Sequence, residues 1–254
     1  MLNVLRSGPD TGTPLLIAHG LFGSARNWGA IAKRLSADRP VLTVDMRNHG
    51  QSPWTGTHQY ADLAADLADA IAAHAGGQAD VLGHSMGGKA AMALALTQPD
   101  RVRKLLVADI APVAYAHTQL PILHAMRDMP LEGLASRGAA NVRLGETIDD
   151  PGVRAFLLQS LDLAAAPPAW RLNLATLERE MADIIGWREI SGRFEGKTLF
   201  LSGALSDYVL PEHRDAIRAL FPAARFSKIP GAGHWLHAEK PREFSAAADV
   251  FLSA

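Results

Sequence analysis

The stretch Asp80-Val81-Leu82-Gly83-His84-Ser85-Met86-Gly87-Gly88-Lys89-Ala90-Ala91 constrains this chain more than any other. It reads as a short apolar strand, a Gly-x-Ser-x-Gly turn and a helix of small residues, the pattern of a nucleophile elbow. A turn this tight holds its central serine in a strained backbone conformation and lifts the hydroxyl above the sheet edge. Gly83 and Gly87 are needed because a Cβ at either position would meet the neighbouring strand or helix. The positive end of the following helix favours negative charge beside Ser85. A plain surface turn would need neither the strand before it nor the helix after it.

The rest of the chain alternates in the way such an elbow requires. Apolar runs at Leu15–Ala18, Val41–Val44, Asp80–Leu82, Leu105–Ala108, Thr198–Leu201 and Arg225–Ile229 read as strands. Their near-continuous apolar character suits a parallel sheet covered on both faces. Tyr60–His74 places Leu63, Leu67 and Ile71 on one helical face. Ala90–Thr97 and Phe244–Leu252 read as two further helices. Between Pro112 and Trp187 the alternation stops, and helical periodicity runs through Gln119–Arg127, Gly152–Leu161 and Leu172–Ile185. About 75 residues without a strand pattern are too many for one crossover. The predicted fold class is therefore α/β, a mostly parallel sheet flanked by helices with an inserted helical cap. The core spans residues 1–111 and 188–254, and the cap spans 112–187.

Two further loops fall at strand ends. His19-Gly20-Leu21-Phe22-Gly23 follows the first apolar run. A loop there supplies one oxyanion-hole amide, and the residue after the nucleophile supplies the other. These are Leu21, with Phe22 as the alternative, and Met86. Pro230-Gly231-Ala232-Gly233-His234-Trp235 follows the last apolar run. A histidine on such a loop reaches across to Ser85 and can take and return a proton near neutral pH. His19, which precedes its loop, and His237 read as structural. Asp45, in Asp45-Met46-Arg47-Asn48-His49-Gly50-Gln51-Ser52, reads as a brace of the sheet edge.

The imidazole needs a carboxylate to fix its tautomer. Asp207 and Asp109 each follow a strand, and both preserve the chain order Ser, Asp, His. The spacing of Asp207 to Pro211 and to His234 favours Asp207, with Asp109 as the alternative.

Over its whole length the chain resembles the α/β-hydrolase superfamily. More closely, it resembles the YbfF-type bacterial esterases and the related mammalian abhydrolase-domain-11 proteins. The likeness is carried by Val44-Asp45-Met46-Arg47-Asn48-His49-Gly50, Gly83-His84-Ser85-Met86-Gly87-Gly88-Lys89-Ala90, Asp109-Ile110-Ala111-Pro112-Val113, Phe156-Leu157-Leu158 and Gly231-Ala232-Gly233-His234-Trp235. The resemblance implies a helical cap, cleavage of carboxylic esters with some acyl-thioester activity, Ser85 as nucleophile and His234 as base. In YbfF-type members the acid resembles Asp109, since the segment matching Asp207 lacks an aspartate. This chain departs from them by carrying Asp207.

The expected activity is hydrolysis of esters of small to medium acyl chains through an acyl-enzyme. Thioester hydrolysis, C–C hydrolysis and perhydrolysis use the same residues, and a non-catalytic ligand-binding protein of this fold is the rival from another class. Serine at position 85 argues against epoxide hydrolase and dehalogenase chemistry, which needs aspartate there. No metal or organic cofactor is called for. With no cysteine in 254 residues, disulfides, thiolate metal sites and cysteine catalysis are excluded. A net charge of −1 without a basic block speaks against nucleic acid as a partner. No charged leader precedes an apolar core at the N-terminus, and no long apolar run appears. The expectation is a soluble, cytoplasmic protein acting on a small-molecule ester, with no membrane partner. The oligomeric state is open.

Overall fold

Strand residues alternate between two faces, and both faces of this sheet are apolar. Leu16, Val81, Leu105 and Val107 point into one core, and Leu15, Ile17, Leu82 and Leu106 into the other. The computed structural model describes residues 1–188 and 190–254. Its main strands are β1 (Val4–Ser7), β2 (Leu15–Ala18), β3 (Val41–Val44), β4 (Ala79–His84) and β5 (Val102–Ala108). A two-residue ribbon, β6 (Leu161–Asp162) and β7 (Ala169–Trp170), precedes β8 (Lys197–Gly203) and β9 (Ala224–Ile229). The large sheet runs β1-β3-β2-β4-β5-β8-β9. All its neighbours are parallel except β1, which pairs antiparallel with β3.

The register places every functional loop on one edge. Ala18 lies opposite both Val44 and Gly83, His84 opposite Ala108, and Ala108 opposite Leu201. The chain therefore leaves β2, β3, β4, β5 and β8 at one level, where ligands bind in open α/β sheets. Helices α1 (Gly29–Leu35) and α11 (Pro241–Ser253) cover one face. Helices α2 (Tyr60–His74) and α3 (Met86–Thr97) cover the other.

Between β5 and β8 the chain makes a mostly helical insert. It holds α4 (Leu120–Asp128), α5 (Arg137–Leu144), α6 (Pro151–Leu157), the β6–β7 ribbon, α7 (Leu174–Arg179) and α8 (Met181–Ile185). Side-chain caps set several of these starts. Ser136 accepts from Ala139 N, Asp150 from Gly152 N and Val153 N, and Asn173 from Thr176 N.

Two predicted helices are shorter than expected. The one over Gly152–Leu161 stops at Leu157 and passes through a 3₁₀ turn, because Leu161 enters the ribbon. The one over Leu172–Ile185 breaks at Glu180 into α7 and α8.

Polar ties fasten the insert to the core. Tyr60 Oη donates to Ile184 O at 2.6 Å, and Lys89 Nζ donates to Ile185 O at 2.9 Å and Gly186 O at 2.6 Å. Asn173 Nδ2 donates to Asn48 Oδ1 at 3.0 Å. After the insert come α9 (Arg214–Leu220), which packs against the sheet through Ile217, and the short α10 (Leu236–Glu239) ahead of α11.

Candidate active site

Ser85 occupies the turn between β4 and α3 with φ 53° and ψ −120°. That left-handed conformation is strained for a residue with a side chain. It is held because Ser85 N donates to Ala108 O at 3.1 Å and because both flanking glycines sit against backbone. A Cβ on Gly83 would lie 2.2 Å from Gly87 O, and one on Gly87 would lie 2.5 Å from Ala18 O and His19 O. The result is a hydroxyl standing over the sheet edge, with Ser85 Oγ 3.1 Å from His234 Nε2.

His234 arrives on the loop after β9. Its carbonyl accepts from His84 Nε2 at 2.9 Å. Burial pushes the pKa of His84 well below the usual imidazole range, so that ring is neutral and carries its proton on Nε2. On the far side of the catalytic-site imidazole, His234 Nδ1 lies 2.8 Å from Asp109 Oδ2.

The position of Asp109 corrects the preference for Asp207. Asp109 leaves β5 with φ 52° and is fully buried, its N–H donating to Leu201 O at 3.0 Å. Its Oδ1 accepts from Gly203 N at 3.0 Å, and its Oδ2 also accepts from Ser206 Oγ. The loop after β8 thus contributes donors to the carboxylate rather than the carboxylate itself. Asp207 lies on that loop with its side chain exposed. Ser85, His234 and Asp109 come together, and Asp207 does not join them.

Leu21 and Met86 flank Ser85, and among the described residues neither backbone N–H has an acceptor in the protein. The alternative amide, that of Phe22, is already taken, donating to His49 Nε2 at 3.2 Å. His49 Nδ1 donates to Arg47 O at 2.9 Å, which fixes the ring as neutral with an acceptor on Nε2. His19 repeats the arrangement, with Nδ1 on Gly20 O at 2.8 Å and Nε2 accepting from Met46 N at 2.9 Å. Burial lowers the pKa of both rings.

The loop that carries His49 is braced by Asp45, which accepts from Asn3 Nδ2 and Gln51 N at 2.8 Å each and from Ala25 N at 2.7 Å. Asn48 stands there with φ 65°, a conformation that asparagine tolerates better than most residues. His237 stacks on Trp28 at 4.3 Å between ring centres, away from Ser85, and burial pushes it down to about 3.

A cleft of about 840 Å³, open solvent included, runs from Ser85 to the insert. Ile122, Val153, Phe156 and Leu157 supply its apolar wall.

Three further polar residues of the site were not among those picked out from the sequence. Tyr208 stacks on His234 at 3.9 Å between centroids, its planes 18° apart. Burial pushes its phenol up to about 12, so it is neutral. Ser206 donates to Asp109. Lys89 is buried one turn after Ser85, with its ammonium 4.8 Å from the Tyr115 ring centre, and burial pulls it down to about 7. A lysine inside a helix of small residues that must pack on a sheet is a readable anomaly. Tyr208 and Ser206 offer none.

The sequence model of the alpha/beta hydrolase family matches residues 15–247. This chain belongs to that family. Among alpha/beta hydrolases, the esterase YbfF of Escherichia coli strain K12 is 40% identical over 230 residues, 90% of this chain and 89% of that protein. The sn-1-specific diacylglycerol lipase ABHD11 of Danio rerio is 38% identical over 253 residues, 96% of this chain and 80% of that protein. A solved alpha/beta hydrolase described as a marine microorganism esterase matches with a TM-score of 0.94 at 35% identity, across 98% of each chain. In this alpha/beta hydrolase no helix among the described residues is long and apolar enough to cross a membrane.

Proposed function

We propose that this alpha/beta hydrolase cleaves carboxylic esters through an acyl-enzyme on Ser85. One observation carries the reading: an unbroken hydrogen-bonded path runs from Asp109 Oδ2 to His234 Nδ1 at 2.8 Å and from His234 Nε2 to Ser85 Oγ at 3.1 Å. The buried carboxylate keeps the Nδ1–H tautomer, which leaves Nε2 free to accept the serine proton. Ser85 Oγ then attacks the ester carbonyl. The negative charge that develops on its oxygen meets the Leu21 and Met86 amides and the N-terminus of α3. His234 gives its proton to the leaving alcohol, then takes one from water; the hydroxide attacks the acyl carbon, and as the Ser85–acyl bond breaks His234 returns that proton to Ser85 Oγ, releasing the acid.

Asp109 is the acid of this reading, with Asp207 outside it. The insert acts as a cap whose apolar side chains take a small to medium acyl chain. The relatives named above, an esterase and a diacylglycerol lipase, support an ester over other acyl compounds. A chain without cysteine suits a reducing compartment, and a cytoplasmic site of action belongs to the same proposal.

The test is Ser85→Ala assayed on p-nitrophenyl esters of graded length, with a fluorophosphonate probe on the parent protein. The expected outcome is a loss of about 10⁴-fold or more at unchanged thermal stability. The probe should label Ser85 alone. More than a tenth of the parent activity in the folded variant would overturn the reading.

A further inference from the structure

We propose that Tyr208 is a positioning residue for His234, its ring face stabilising the imidazolium that forms while Ser85 is acylated and deacylated. The inference rests on the acyl-enzyme reading above and adds a group to it.

The two rings are nearly parallel, 18° apart with centroids at 3.9 Å. Tyr208 is pinned at two backbone groups and at the tip of its ring. Its carbonyl accepts from Tyr115 Oη at 2.8 Å, and Tyr115 Oη itself accepts from Ala111 N at 2.9 Å. Tyr208 N donates to Ser206 Oγ at 3.3 Å, on the side chain that also donates to Asp109. Its hydroxyl lies 2.7 Å from His117 Nε2.

The other groups around the imidazole leave the new charge with few partners. Asp109 meets the edge at Nδ1, and Ser85 meets Nε2. From β4, His84 packs at 4.8 Å between centroids, and beyond it lies His237 of α10. Both are buried and neutral, so neither offsets a positive charge. Trp235 is farther, at 6.3 Å. Asp207, next to Tyr208 in sequence, has its side chain in solvent. The face of His234 that Tyr208 covers is thus the one where an electron-rich surface meets the cation, and a cation over an aromatic face is attracted by the ring quadrupole.

The experiment is a substitution series at position 208, read by kcat, KM and the pH profile of kcat/KM on one p-nitrophenyl ester. Tyr208→Leu should lower kcat roughly three- to thirty-fold with little change in KM. The acid limb of its profile should move to lower pH, because the protonated ring has lost a stabilising partner. Tyr208→Phe keeps the ring and should restore most of kcat.

Increasingly fluorinated phenylalanines at 208 keep the shape while weakening the quadrupole, so they fold as Phe does. Their kcat should fall stepwise. A flat fluorination series, or a Phe variant as slow as the Leu variant, overturns the proposal. Ser85→Ala separates the two claims. Activity surviving in that variant removes the acyl-enzyme reading, whereas an inactive Ser85→Ala with a flat series removes Tyr208 alone.

Discussion

Asp109 and Asp207 follow adjacent strands, and what separates them is the direction each backbone gives its side chain. Asp109 turns inward through a left-handed φ and collects two donors from the loop after β8 besides the imidazole. Asp109→Asn is therefore expected to cost up to about 10⁴ in kcat, since an amide at that place favours the wrong imidazole tautomer. Asp207→Asn should stay within about two-fold, as exposed substitutions do. Parallel kcat measurements on one ester decide it, and the reverse ranking would refute the assignment. Ser85 and His234, whose Oγ and Nε2 lie 3.1 Å apart, each stood out in the sequence through a glycine-rich local pattern. Spacing favoured Asp207 over Asp109, because it counts residues and says nothing about the positive φ that turns residue 109 toward His234. The same gap hid Ser206 and Tyr208, whose parts depend on a carboxylate and an imidazole contributed from elsewhere.

Helices and strands with a strong pattern were legible almost to the residue, and those without one were not. β2, β3 and α2 have the bounds expected of them, since Pro14 and His19, Pro40 and Asp45, and Gln59 and Gly76 stand at or near their ends. β1 went unread because an edge strand half exposed on both sides shows no apolar run. α5 and α9 were missed because their polar residues hide a narrow buried stripe. On the proposed reading the insert sets acyl selectivity. Val153, near the start of α6, is buried and lines the cleft beside Phe156. Val153→Phe should narrow that wall and lower kcat/KM on an octanoate ester roughly ten-fold more than on acetate, within the few kcal/mol that apolar pockets discriminate. Equal losses on both esters would mean that the acyl chain does not reach α6.

At the scale of the whole molecule, the buried histidines couple stability to pH. His19, His49, His58, His84 and His237 all have pKa values pushed down by burial, His58 and His237 to about 3. Unfolded, each titrates near 6.5, so below that pH the unfolded chain binds protons that the folded chain refuses. Stability is fully present above about pH 6.5 and is lost as pH falls towards the folded values. Each histidine adds about 1.4 kcal/mol per pH unit to the slope. Urea titrations between pH 7 and 4.5 should show a steep fall, and a flat profile would mean that these rings are already charged in the folded protein. Chain connectivity has a consequence of another kind, in the order of assembly. Lys104 of β5 pairs with Lys197 of β8 across the whole insert, and the site joins residues 85, 109 and 234. Contacts so distant in sequence form slowly, and synthesis delivers the N-terminal part first. On the proposed reading Ser85 is made 149 residues before His234, the group that takes its proton. A partly made molecule that lacks His234 is therefore expected to leave esters uncleaved.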